Sequence, residues 1–250
     1  MSIFIFKGEK RYLIYSIFLF SGLLCSLTRG GWLAFILFSI IGFMFIVKNK
    51  RALKRVSLVF IIFSVVFFVI NLTSNNKITG RTDKSLIISE SGNFNGSAGA
   101  RINILKLSWK AFCDKPFLGT GPDTLKQRLS EDYPMEMLDY LLKYKQTIDK
   151  AHNEFLELAV SCGIFTLLSY LLLIILILIP IIKNFKDDRC KTLFLVIIGY
   201  LIQSFFNISV IMVAPLFWIF MGYCVKVNGY KEIDNKLMKS IDIKEVEVIE

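Results

Sequence analysis

Long uncharged apolar blocks alternate along the 250-residue chain with short charged or turn-rich segments. The blocks fall at 12–27, 32–47, 56–72, 155–182, 193–208 and 210–225. Each lies near the ~20 helical residues needed to cross a ~30 Å hydrocarbon core, so the pattern predicts an all-α, polytopic transmembrane helix bundle of about six spans. A long polar segment, 73–154, separates the third block from the fourth. Its first part, 73–99, is rich in Asn, Ser and Gly and reads as a loop. Helical periodicity returns at 101–113, stops before Pro116 and reappears on either side of Pro134. The predicted organisation is three spans in 1–72, a small helical extracytoplasmic cap in 73–154, three more spans in 155–225 and a tail in 226–250.

Basic residues orient this arrangement, because short cytoplasmic segments collect Lys and Arg. Lys7, Lys10 and Arg11 precede the first block; Lys48, Lys50, Arg51, Lys54 and Arg55 follow the second; Lys183, Lys186, Arg189 and Lys191 follow the fourth. The first connection has only Arg29 and the fifth has no basic residue. Both termini are therefore expected in the cytoplasm of an inner, multi-pass membrane protein. Composition agrees: 54% of residues are hydrophobic and mean hydropathy is +0.58, more than a water-soluble fold can hide. The first block ends in Gly22-Leu23-Leu24-Cys25, without the small residue of a signal-cleavage site, and reads as a retained span. Cys25, Cys162 and Cys224 sit in apolar blocks, while Cys113 and Cys190 fall in loops on opposite sides of the membrane; no structural disulfide is expected.

Few residues carry candidate chemistry. On a helical wheel Asn103, Lys106 and Lys110 share one face of the 101–113 helix and Ile104, Leu105, Ser108 and Phe112 the other, with Arg101 on the apolar side. An unpaired buried guanidinium is costly, and a helix N-terminus disfavours a cation. Arg101 therefore either turns to water or an acidic residue, or binds an anion such as phosphate. His152, the sole histidine, stands in Asp149-Lys150-Ala151-His152-Asn153-Glu154. If Asp149 caps the following helix, His152 lies in its first turn, where the dipole favours a neutral imidazole able to accept a proton. The plainer reading is a histidine at the membrane interface. One histidine and no cysteine cluster leave no expected metal site. Arg29 either snorkels to headgroups or turns its bidentate fork on a phosphate. Gly119-Thr120-Gly121-Pro122-Asp123 matches neither a Walker loop nor a dinucleotide fingerprint and reads as a tight turn. Gln203 and Asn207 share a helix face and are expected to hydrogen-bond to neighbouring helices.

In series, Ser26-Leu27-Thr28-Arg29-Gly30-Gly31-Trp32-Leu33-Ala34, then Arg101 with Trp109 and Pro116-Phe117-Leu118-Gly119-Thr120-Gly121, then His152-Asn153 ahead of a span, resemble the O-antigen ligase/polymerase superfamily. The resemblance implies a GT-C-like, metal-independent transferase without a cofactor. It would move a glycan from undecaprenyl diphosphate to an acceptor hydroxyl, on a lipid or a glycan, at the outer face of the membrane. Arg29 and Arg101 would hold the diphosphate, with Asn153, Gly119 and Gly121 also at the substrate. Arg101 would stabilise the leaving group and His152 would assist the acceptor. The family's usual chain has about twice as many spans, so the likeness is to its C-terminal half and implies one of three things: a fragment, a separate chain supplying the N-terminal half, or a degenerate gene. Membrane lipids are further partners; nucleic acid is not. From another class, the alternative is a non-catalytic membrane component: a transporter subunit, a scaffold or a truncated family member.

Overall fold

The computed structural model describes residues 1–47, 49–83, 96–209 and 213–227, and every regular element among them is a helix. In chain order these are α1 (Ser2–Lys7), α2 (Lys10–Cys25), α3 (Arg29–Met44), α4 (Lys50–Thr73), α5 (Lys77–Asp83), α6 (Gly96–Asp114), α7 (Leu125–Asp132), α8 (Pro134–Tyr144), α9 (Glu154–Lys183), α10 (Asp188–Phe206) and α11 (Ala214–Val227). Among the described residues α4, α9 and α10 are long and apolar enough to cross a membrane, while α3 and α11 are shorter apolar helices. Large apolar side chains face outward on these elements: Phe18, Leu19 and Phe60 are each more than 70% exposed. An outward apolar surface has lipid as its solvent, and the chain is an all-α membrane helix bundle. At 1.5 Å per residue the 16-residue helices α2 and α3 rise only about 24 Å.

The helices form two compact units, residues 1–170 with 198–209, and residues 171–197 with those after 209. In the first unit Phe4, Ile5, Ile46, Ala52, Val59 and Phe63 make one core, with Phe20 stacked on Phe63 at 4.1 Å between centroids. Asn49 caps α4 by accepting from the Arg51 and Ala52 N–H groups, so the basic cluster opens that helix. A second core, from Ile104, Leu107, Ala111, Leu125, Leu129 and Tyr140, holds α6, α7 and α8 together as the cap. Pro134 stands at the first position of α8, where its missing N–H costs nothing. The segment read as a loop from 73 contains α5; most of its remainder, and the tail beyond Val227, lie outside the described residues. The second unit packs Ile181, Ile197, Met221 and Cys224 at 2% exposure or less. The five cysteines are free, and Cys113 and Cys190 lie within α6 and α10 rather than in loops.

Helix α9 is not one straight rod. Gly163 has φ 81° and ψ 174°, far from helical values. Sixteen residues of unbroken helix would separate Glu154 from Tyr170 by about 24 Å. The Tyr170 hydroxyl instead donates to the Glu154 carboxylate at 3.3 Å, and the Phe155 and Tyr170 rings lie 6.1 Å apart. The chain therefore doubles back at Gly163. Residues 154–162 form a short arm against the cap, and 164–183, about 30 Å long, form the spanning arm. The apolar block at 155–182 is thus two elements and not one long span.

Candidate functional site

Helix α2 ends at Cys25, and the turn to α3 passes through Leu27 in the left-handed region (φ 51°). The Trp32 indole N–H donates to the Leu23 carbonyl at 3.0 Å and ties α3 back onto α2. Arg29 and Gly30 are therefore presented at one fixed place. Gly30 and Gly31 are buried, and space rather than backbone conformation requires glycine there. A methyl group at Gly30 would lie 3.1 Å from Asn207 Nδ2, 3.2 Å from Phe206 Cβ and 3.4 Å from Arg101 Nη1. One at Gly31 would meet Thr28 Oγ1 at 2.9 Å and Leu23 Cδ1 at 3.0 Å, with Gln203 Oε1 at 3.8 Å. The start of α3, the end of α10 and the guanidinium of Arg101 thus meet at one corner. Arg101 is half-buried, as its place on the apolar face of α6 predicts, and no carboxylate among the described residues pairs with it.

His152 lies in the segment that leads from α8 to α9. Ile148 and Ala151 are fully buried and anchor this segment in the cap core. The Ala151 N–H donates to Glu157 Oε2 at 2.7 Å, and Lys150 pairs with Asp123. Asn153, not Asp149, caps α9: its Oδ1 accepts from the Leu156 N–H at 2.9 Å. His152 therefore stands just outside the helix, with φ 51°, instead of in its first turn. Left-handed backbone is uncommon for any residue but glycine, and here both flanks enforce it. The imidazole is held below its ordinary range first by burial and then by the nearby Arg101 charge, against the pull of Asp149 and Glu157. The downward shift at His152 comes from its tertiary surroundings, burial first and the Arg101 charge second.

Gly119 and Gly121, expected at the substrate, are engaged with α9. The Gly121 N–H donates to the Ser161 carbonyl at 2.7 Å, and the Ile164 N–H donates to the Pro116 carbonyl at 2.8 Å. The turn from Pro116 to Gly121 so pairs one carbonyl before the break at Gly163 and one N–H after it. Gly119 (φ 66°) and Gly163 (φ 81°) leave no room for a β-carbon: it would overlap the Ser161 carbonyl at the first and the Phe117 carbonyl at the second. Trp109 lies exposed on α6 beside Phe112.

Sequence reasoning picked out Gln203 and Asn207 on one face of α10 but not Tyr200 and Ser204 beside them. Tyr200, Gln203, Ser204 and Asn207 recur at helical spacing on one face of an otherwise apolar helix. The Tyr200 hydroxyl donates to Glu154 Oε2 at 3.3 Å and lies 3.1 Å from Ser209 Oγ. The i, i+3, i+4, i+7 pattern was the available signal. Glu154 likewise gave no sign that two tyrosines from different helices converge on it.

Comparison with known proteins adds one match. The family model described as O-antigen ligase matches residues 14–171, which include Arg29, Arg101, the Pro116 turn and His152. No curated protein and no solved structure matches the chain.

Proposed function

The chain belongs to the O-antigen ligase family, and from that premise we propose that it is a metal-independent transferase moving a glycan from undecaprenyl diphosphate to an acceptor hydroxyl. A membrane function of the O-antigen ligase or polymerase type, on lipid-linked glycan substrates, follows from the family itself; the donor, the acceptor and the residue roles are our reading. One observation carries it. Arg101, a half-buried guanidinium without a carboxylate partner among the described residues, stands close enough to His152 to favour the neutral imidazole. An anion site is thereby set beside a proton acceptor.

In this reading the acceptor oxygen attacks the anomeric carbon as the bond from that carbon to the diphosphate oxygen breaks. The bonding electrons leave with the diphosphate, and His152 takes the acceptor's proton. Arg29 and Arg101 hold the diphosphate and stabilise its added charge through bidentate, charge-assisted hydrogen bonds. Asn153 supports His152 by fixing the start of α9. Gly119 and Gly121 act at one remove, by keeping that helix bent. The basic bias of the short connections puts both termini in the cytoplasm and this end of the bundle at the outer face of the inner membrane. A lipid or a growing glycan supplies the hydroxyl.

The test is transfer of a lipid-linked glycan in membranes containing the chain. His152→Ala should lower the rate on the order of 10²-fold or more, the scale of general acid–base help. A chelator should leave it unchanged. Transfer at the parent rate by the alanine variant would remove His152 from the chemistry. A parent that transfers nothing would favour the non-catalytic membrane component.

A further inference from the structure

We infer that the outer end of α10 is a saccharide subsite, in which the side-chain amides of Gln203 and Asn207 read hydroxyl groups of the sugar joined to the diphosphate. The inference rests on the donor reading above but uses residues beyond 14–171, the stretch that the family model matches.

Gln203 lies in the last turn of α10, a helix apolar enough to span the membrane, and Asn207 just beyond its end; both are half-buried. Serines and threonines of the spans return their hydroxyls to a backbone carbonyl one turn earlier, as Ser39 does to Phe35, Ser64 to Phe60 and Ser169 to Phe165. Such a side chain costs the membrane little. An amide with neither its donors nor its acceptor engaged is expensive where water is scarce. Among the described residues, no hydrogen bond is made by the side chain of Gln203 or of Asn207. The expectation that these amides bond neighbouring helices is therefore not met, and both are left for water or for a ligand that displaces it.

The surroundings give the class of that ligand. Asn207 Nδ2 and Arg101 Nη1 both lie within contact distance of the same point above Gly30, and Gln203 Oε1 faces Gly31. A bare phosphate would be served by donors alone. A wall that offers amide N–H groups and an amide carbonyl next to a guanidinium instead fits a group that both donates and accepts, attached to an anion. A sugar hydroxyl close to its diphosphate is such a group. The two glycines let α3 pack directly under these groups and leave little space for even a β-carbon, so the sugar lies against the outward side of the two amides and the guanidinium. Glu154, held by Tyr170 and Tyr200, lies one turn along the same stripe and keeps the anionic end of the donor on the arginine side.

Binding by the full chain in detergent tests this with two probes: a polyprenyl diphosphate bearing one N-acetylhexosamine, and the same polyprenyl diphosphate without sugar. The parent should bind the glycosylated probe more tightly. The double variant Gln203→Leu, Asn207→Leu should weaken that probe on the order of tenfold, the scale of two neutral hydrogen bonds, and leave the bare lipid unchanged. Arg101→Ala should weaken both probes. Leucine suits a lipid-facing helix, and Gln203→Met, close to isosteric, supplies a milder variant that should lose several-fold on the glycosylated probe alone. Equal binding of the two probes by the parent, or a double variant that matches the parent on both or loses both equally, overturns the subsite while the donor reading stands. A parent that binds neither probe overturns the donor reading and the subsite with it.

Discussion

Two corners of the first unit are built on glycine, and they differ in what the missing side chain admits. At Gly119 and Gly163 it is backbone: carbonyl groups of Ser161 and Phe117 occupy the space, and both residues have positive φ. At Gly30 and Gly31 it is side chains: Asn207, Phe206 and Arg101 at the first, Thr28, Leu23 and, farther off, Gln203 at the second. The first corner is a joint closed by two backbone hydrogen bonds, Gly121 N–H to the Ser161 carbonyl and Ile164 N–H to the Pro116 carbonyl. The second brings together polar groups that the described protein leaves incomplete. Glycine alone does not distinguish a hinge in the architecture from a vacancy for a ligand; the neighbours do.

Substitution should separate the corners. Gly163→Ala meets both a backbone conformation that side chains rarely adopt and a carbonyl oxygen in the way, so a loss of about 2–5 kcal/mol is expected. It should appear as a large fall in the thermal midpoint of the detergent-solubilised protein, with function lost as a consequence. An alanine variant that melts like the parent would mean that the doubling back of α9 does not need this glycine. Gly30→Ala should behave in the opposite way. Its neighbours are Asn207, Phe206 and Arg101 side chains that need give only a few tenths of an ångström. The melting point should hardly move, while donor binding falls about tenfold because a small displacement misaligns the charge and the amide. A stability loss as large as that of Gly163→Ala would make this corner a joint as well.

The smallest expected effect is on pH dependence. In the proposed reaction the neutral imidazole is the active form, and burial and Arg101 hold His152 below its ordinary value of 6.5. Activity is lost as pH falls through the folded-state value, so the acid limb of kcat/KM should lie below 6.5. Removing the guanidinium takes away one of the two depressing causes. Arg101→Ala should then move the acid limb upward, besides weakening donor binding. An unmoved limb would mean that the groups do not interact in the free enzyme.

Much of this was legible in the chain because it depends on local pattern. The helical period of α6, the stop before Pro116, the start of α8 at Pro134 and the apolar-side placement of Arg101 are properties of short windows. What failed depends on tertiary contact. The reversal at Gly163 is invisible to hydropathy, because the residues on both sides remain apolar and only one backbone angle changes. The cap of α9 was misassigned because Asp149 and Asn153 are both competent, and the choice falls to Asn153 once Ile148 and Ala151 are buried in the cap core. The polar stripe of α10 was visible, but its meaning was not: Gln203 and Asn207 look like glue between helices until Gly30 and Gly31 are found opposite them.

The position of His152 outside α9 has an energetic corollary. In the proposed reaction the proton is taken up by a loop residue, and so enters and leaves on the side where the substrates bind. No part of the cycle then carries charge through the membrane field, which is worth about 2.3 kcal/mol per elementary charge per 100 mV. A transferase built this way draws its driving force from the glycosyl–diphosphate bond alone, and collapsing the membrane potential leaves its turnover untouched.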